Sequence, residues 1–286
     1  MAGNPYTEPV FKTAVEADVV YAKAIGYWSR TDITAHPQKM ISRPLILREL
    51  DLMLDIYLPK GDPSASRPLL LMMHGGAFLI GNKNDTGQSA WCRHFASLGY
   101  VAVSIDYRMG FCLNRESVNR AEQDAVEDAV NALSYLLERE DLRIDPERIF
   151  VAGTSAGAAI ALTLAFDPPG NMPPCRIRAV GDLWGYVHDL AVLENARIPV
   201  IAFQSEKDPV VPFKKGYPMR SWFSCMGVVF GTSEQSRKAE ASGLRFDLYP
   251  CPEKGHRLHM DNKGELTPRF YEIRDKMTTF FSEALN

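Results

Sequence analysis

Most constraining is an alternation: from about residue 69 to the C-terminal end, short apolar runs trade places with stretches of helical periodicity. A run as short as LLLMM at 69–73 cannot make a stable helix and reads as a strand buried on both faces, as a parallel sheet requires. Further strands are expected at 101–106, 148–152, 179–184, 200–204 and 245–249, and helices at 88–98, 117–140, 156–165, 233–243 and 267–285. The helix over 117–140 is the clearest, because Val118, Ala121, Ala125, Ala129 and Leu133 recur every three to four residues. Upstream the signal is β: Leu52, Leu54, Ile56 and Leu58 alternate with Met53, Asp55 and Tyr57 until Pro59 and Gly61 end the run. Residues 10–28 fit an extended segment or a helix equally well. This order predicts an α/β fold, with a mainly parallel central sheet flanked by helices and antiparallel strands at the N-terminal edge.

At 286 residues, 46% hydrophobic and 23% charged, the chain has enough material for one sizeable core, so a single domain over 1–286 is expected. A formal net charge of -3 gives no electrostatic reason to bind nucleic acid or an anionic membrane, and no apolar run approaches a transmembrane span. The opening MAGNPYTEPVF lacks the charged and apolar regions of a secretory signal. Cys92, Cys112, Cys175, Cys225 and Cys251 show no metal-ligand spacing, so no zinc site is expected. Free buried thiols are anticipated, with one disulfide left open.

Two motifs carry chemistry. Gly153-Thr154-Ser155-Ala156-Gly157 is a G-x-S-x-G sequence between a strand and an alanine-rich helix, the setting a nucleophile elbow needs. Small neighbours let strand and helix backbones nearly touch, and the helix N-terminus turns free N–H groups toward the serine. His74-Gly75-Gly76-Ala77-Phe78 follows the 69–73 strand directly. Its glycines allow a turn in which backbone N–H groups converge on a developing oxyanion. The donors expected are those of Gly76, Ala77 and Ala156; alanine in place of a third glycine keeps its N–H. His74 reads as a structural residue that holds this loop.

On these two motifs, and on the stretches LDIYLP at 54–59, GYVAVSIDYR at 99–108 and IDPERI at 144–149, the chain resembles serine carboxylesterases of the α/β-hydrolase superfamily. Within it, the likeness runs to the hormone-sensitive-lipase-like group and to bacterial acetyl and feruloyl polysaccharide esterases. The resemblance covers most of residues 50–285 and implies an α/β-hydrolase fold, a Ser–His–Asp mechanism and no cofactor or metal. It implies Asp208, in SEKDPVVP after the 200–204 strand, as the acid, with Glu206 and Asp189 as competitors. The base implied is His256, carried on Gly255 after the last strand; His259 competes but reads as a surface residue or one behind the base. The order Ser155, Asp208, His256 is that of α/β-hydrolases. The implied partner is a small-molecule or saccharide ester, and polysaccharide esters suggest a secreted or periplasmic home, with a cytoplasmic one left open. Amide cleavage by the same residues and a non-catalytic binding protein of this fold stay open.

Three further features bear on the pocket. Trp184, in Trp184-Gly185-Tyr186 at a strand end, is placed to line a site, since ligands of open α/β sheets bind there. Core packing explains it as well. Tyr107-Arg108 reads as a packed corner, and Asn82-Lys83-Asn84-Asp85 as a turn into a helix. Residues 212–232 lack regular periodicity yet hold Phe213, Tyr217, Met219, Trp222, Phe223, Met226 and Phe230. So many large apolar groups need shelter. The segment is expected to be an insertion beside the site, with Trp222 and Phe223 in the pocket wall.

Overall fold

The computed structural model describes residues 6–31, 39–40, 42–221 and 224–285. Strands β1 (Lys12–Gly26), β2 (Arg48–Lys60), β3 (Arg67–Met73), β4 (Val101–Ile105), β5 (Ile144–Thr154), β6 (Ile177–Leu183) and β7 (Val200–Ser205) alternate with helices from β3 onward. The helices are α1 (Thr86–Ser97), α2 (Arg115–Glu138), α3 (Ala156–Phe166), α4 (Thr232–Ser242) and α5 (Pro268–Ala284). Two short strands, β8 (Lys215–Gly216) and β9 (Val229–Phe230), form a separate ribbon, and β10 (Phe246–Cys251) completes the main sheet.

That sheet has eight strands in the order β1-β2-β4-β3-β5-β6-β7-β10. β1 and β2 run antiparallel to their neighbours, and every pair from β4 to β10 is parallel. The ambiguous residues 10–28 are thus an edge strand. Its half-exposed mix of charged and apolar side chains is what left its periodicity unreadable.

Period-two alternation of β3 divides the core. Leu69, Leu71 and Met73 face one cluster with Val118, Ala125, Ala129 and Leu133 of α2 and Ile160 of α3. Leu70 and Met72 face the other, with Trp91 and Phe95 of α1 and Phe270, Ile273 and Phe281 of α5. Burial on both faces is why these strands read as unbroken apolar runs. Helix starts differ from the sequence expectation by a residue or two where polar caps set them. Asp85 Oδ1 accepts from Gly87 N at 2.8 Å, opening α1 at Thr86, and Asn114 Oδ1 accepts from Ser117 N at 2.9 Å in the first turn of α2.

All five cysteines are free, but only Cys92 and Cys251 are buried; Cys112 is exposed, which corrects the expectation of buried thiols throughout. Among the described residues no helix is long and apolar enough to cross a membrane, and no three His, Cys, Asp or Glu side chains cluster as a metal site would.

Candidate active site

Parallel strands place their C-terminal ends along one rim, and the loops that leave β3, β5, β6, β7 and β10 there build the site. Ser155 joins β5 to α3 with φ 53° and ψ -117°, a backbone shape costing about 1–3 kcal/mol for a non-glycine residue. Its N–H donates to Leu183 O at 2.9 Å, which pins the turn to β6. The flanking glycines serve space here. A Cβ added at Gly157 would lie 2.1 Å from Met73 O, and one at Gly153 would lie 2.3 Å from Gly157 C. Helix and strand therefore cross at backbone contact.

The β3 loop passes beside this turn, since a Cβ on Gly75 would stand 3.2 Å from Ser155 Cβ. Gly76, Ala77 and Phe78 all have positive φ, at 122°, 54° and 57°. The strained turn is held from outside: Gly110 N donates to Phe78 O at 2.8 Å and Trp28 Nε1 to Leu79 O at 3.0 Å. The N–H of Ala156 belongs to the first turn of α3, where no carbonyl of the helix precedes it. His74 is buried and stacked on Tyr107 at 4.3 Å, with Nδ1 2.7 Å from Gly75 O, and burial lowers its pKa to about 4. Tyr107 donates its hydroxyl to His74 O at 2.7 Å. Both are loop supports.

Asp208 follows the tight turn after β7. Its Oδ1 accepts from Val210 N at 2.8 Å and Val211 N at 3.1 Å. Its Oδ2 lies 2.8 Å from His256 Nδ1 and 3.4 Å from Gln204 Nε2. His256 Nε2 lies 2.9 Å from Ser155 Oγ. Ser155, His256 and Asp208, separated by up to 101 residues, thus form one hydrogen-bonded chain. The rival acids lie elsewhere: Glu206 is exposed, and Asp189 accepts from Ala191 N at 2.9 Å as the cap of a short 3₁₀ turn.

A cavity of about 180 Å³ opens on these groups, lined by Gly76, Ala77, Ser155, Trp184, Met219 and His256 among others. Trp184, at φ 54°, lies edge-to-face with His256 at 6.3 Å between ring centres. Of residues 212–232, Met219 reaches the cavity. Trp222 and Phe223, expected in its wall, lie outside the described residues.

Comparison with known proteins decides the fold. The structure superposes on an esterase from the planctomycete Thermogutta terrifontis, solved with butyrate bound, with a TM-score of 0.63, at 20% identity over 82% of this chain and 90% of that one. The same esterase phosphoramylated by tabun gives a TM-score of 0.65 at 18% identity, over 99% and 97%. Esterase B from Lactobacillus rhamnosis, inhibited by a tributyrin phosphonate, gives 0.61 at 16%, over 97% and 87%. The chain has the α/β-hydrolase fold.

Other likenesses cover parts of the chain. The BD-FAE family matches residues 54–171. Curated relatives include the non-reducing polyketide synthases Preu3 of Preussia isomera, 37% identical over 45% of this chain, and pkbA of Emericella nidulans, 35% identical over 46%. In each case the match spans 5% of the synthase's length.

Three features of the molecule escaped sequence reading. Lys83, read as part of a turn, is fully buried, with Nζ 2.5 Å from Asp55 Oδ1 and 2.9 Å from Asp18 Oδ1. Its own N–H donates to Asp106 Oδ1 at 2.6 Å, so the stretch from the β3 loop to α1 is tied to β1, β2 and β4. Gln204 is a hub: its amide donates to Val211 O at 2.9 Å and accepts from Thr232 N and Oγ1 at 3.1 and 2.8 Å, steadying the Asp208 turn. His259 is not on the surface: it is 2% exposed, adjoins the cavity and is stacked between Trp91 and Trp184, a ring contact that the sequence did not announce. No local pattern announces such contacts, because their partners come from distant segments.

Proposed function

We propose that this protein is a serine esterase that hydrolyses carboxylic esters of short acyl chains through an acyl-enzyme. The observation that carries the reading is the unbroken Ser155–His256–Asp208 chain, 2.9 and 2.8 Å per link, opening into a cavity. With the Nδ1 proton directed at Asp208, the Nε2 lone pair of His256 faces the serine hydroxyl and takes its proton as Oγ bonds to the ester carbonyl carbon. The resulting oxyanion is met by the N–H groups of Gly76, Ala77 and Ala156. Collapse expels the alcohol, which takes the proton from His256. Water then repeats the cycle on the acyl-enzyme and releases the acid. A cavity of about 180 Å³ is small beside the roughly 300–1,000 Å³ of drug-sized sites, which favours short acyl groups. The alcohol is read as a small molecule or a saccharide.

The decisive experiment pairs Ser155→Ala with labelling by paraoxon, the compound that phosphorylates the Thermogutta esterase. The wild type should gain one diethylphosphoryl adduct on Ser155 by peptide mass spectrometry. The variant should gain none and should keep less than about a hundredth of the ester hydrolysis. An active, folded Ser155→Ala protein would refute the assignment.

A further inference from the structure

His259 takes no part in the hydrogen-bonded chain, yet it is the most enclosed side chain of the loop that carries His256. Its ring lies 5.1 Å from Trp91 at 20° and 4.9 Å from Trp184 at 27°. Trp91 in turn stacks on Phe270 at 5.0 Å and 27°. Four rings thus run in file from the end of β6, through the histidine loop and α1, to the first turn of α5. The α1 helix is cut away to admit the ring, since a Cβ on Gly87 would lie 2.7 Å from His259 Cδ2. The loop itself has no helix or strand from Pro252 to Thr267. It is closed by Thr267 N–H donating to His259 O at 3.0 Å and Thr267 Oγ1 to Leu258 O at 2.5 Å.

From this juxtaposition we infer that His259 is a positioning residue: its stacked ring clamps the loop so that His256 stays within reach of both Ser155 and Asp208. The inference rests on the reading of His256 as the base. Trp184 touches both histidines, stacked on His259 and edge-to-face with His256. The clamp must also stay uncharged, because His256 becomes a cation during the reaction and lies three residues away. Burial, helped by the charges of Arg257 and His256, lowers the pKa of His259 to about 3, so the ring is neutral wherever the base works. Aromatic rings from separate elements hold a loop in place without offering a rival hydrogen bond to the base. A displacement of only about 1 Å at a reacting group costs on the order of a hundredfold in rate.

The test compares His259→Ala, His259→Phe, Trp91→Leu and His256→Ala in the full chain, with p-nitrophenyl acetate as probe and thermal unfolding to register folding. His259→Ala should lower kcat on the order of a hundredfold while KM changes by less than about threefold. His259→Phe, which keeps the stack and removes both nitrogens, should return kcat to within about tenfold of wild type. Its acidic limb of kcat/KM should fall at the wild-type pH. Trp91→Leu, which removes the far face of the clamp without touching the cavity, should lower kcat in the same sense as His259→Ala. If His259→Ala does not fold, the Phe and Trp91 variants decide by themselves. An inactive His256→Ala beside an unimpaired His259→Ala overturns the positioning role alone. So does a His259→Phe protein that works no better than His259→Ala. Substantial activity in His256→Ala overturns the base assignment and this role together.

Discussion

Replacing Asp208 by Asn tests the proposed chemistry through a single atom. Two backbone N–H groups, of Val210 and Val211, converge on Oδ1 at 2.8 and 3.1 Å, and only an acceptor can stand there. The amide must therefore keep its oxygen in that place and turn its NH2 toward His256 Nδ1, where the carboxylate Oδ2 now lies at 2.8 Å. A donor facing Nδ1 forces the imidazole into the opposite tautomer, with its proton on Nε2 and directed at Ser155 Oγ, 2.9 Å away. The base is then occupied before the reaction begins, and the carboxylate that would stabilise the imidazolium is gone. Loss of kcat on the order of 10⁴ is expected by analogy with other serine hydrolases, about 5 kcal/mol at 1.36 kcal/mol per decade. KM should change little, because no group that touches the ester is removed. Unfolding free energy should drop by no more than about 2 kcal/mol, since both backbone bonds to Oδ1 survive. Steady-state hydrolysis of p-nitrophenyl acetate and urea unfolding of the same preparation supply both numbers. An Asp208→Asn protein that is folded and keeps a tenth or more of wild-type kcat would show that the carboxylate does not set the tautomer, and the argument would fail.

Two further outcomes follow from buried charge. Lys83→Met strips Asp55, whose side chain is 6% exposed, of its buried cation and should cost about 3–5 kcal/mol in urea unfolding; Asp55→Asn added to it should recover most of that, and no recovery would deny the pair its role. Asp182 is fully buried, and burial raises its carboxyl pKa to about 7 against a usual value near 3.9, so the folded chain holds an extra proton between those values and loses stability as pH rises through them. Asp182→Asn cannot ionise, keeps an acceptor for Gly185 N–H, now 2.6 Å away, and should gain on wild type between pH 5 and pH 8 by at most on the order of 3 kcal/mol; an unchanged difference in urea unfolding across that range would count against a protonated Asp182.

Legibility in the sequence followed the range of the interactions. The parallel strands announced themselves because burial on both faces leaves no polar position, as in 69–73, and α2 did so because one face repeats alanine and leucine. The edge strand β1 did not, since half its side chains meet water and two irregularities in its pairing with β2 break the alternation. Ser155 and its glycines were readable as a short motif: at Gly153 the excluding contact is local, with Gly157, whereas Gly157 is kept bare by Met73 O of β3, a contact that only the recurrent motif reveals. Asp208 and His256 were legible through resemblance, by their place after two strands. Lys83 was misread because an isolated lysine in NKND is ordinarily solvated; its burial depends on Asp18 and Asp55, supplied by two strands that pair far upstream. The surface reading of His259 failed for the same reason, its shelter being built by Trp91 of α1 and Trp184 at the end of β6. Trp222 and Phe223 remain expectations of the sequence alone.

The distribution of backbone strain ties these observations together. Ala77, Phe78, Ser155, Trp184 and Met219 all have positive φ without being glycine, and four of them line the cavity while Phe78 adjoins Ala77. Each costs about 1–3 kcal/mol and persists only where surroundings hold it. The surroundings are visible: Gly110 N donates to Phe78 O at 2.8 Å, Ser155 N to Leu183 O at 2.9 Å, Trp184 N to Phe203 O at 2.7 Å, and Met219 N to Val210 O at 2.6 Å. For Ser155 and Trp184 the partner lies on the next strand, so the sheet itself holds the bend. A regular strand or helix would turn its N–H groups into its own ladder, and none would be left for an oxyanion. Breaking the ladder at the strand ends is what frees the donors at Gly76, Ala77 and Ala156, and central strands buried on both faces beneath are what make the break affordable. The same logic accounts for the buried Lys83 cluster and the ring stack at His259: each fastens a loop that cannot fasten itself.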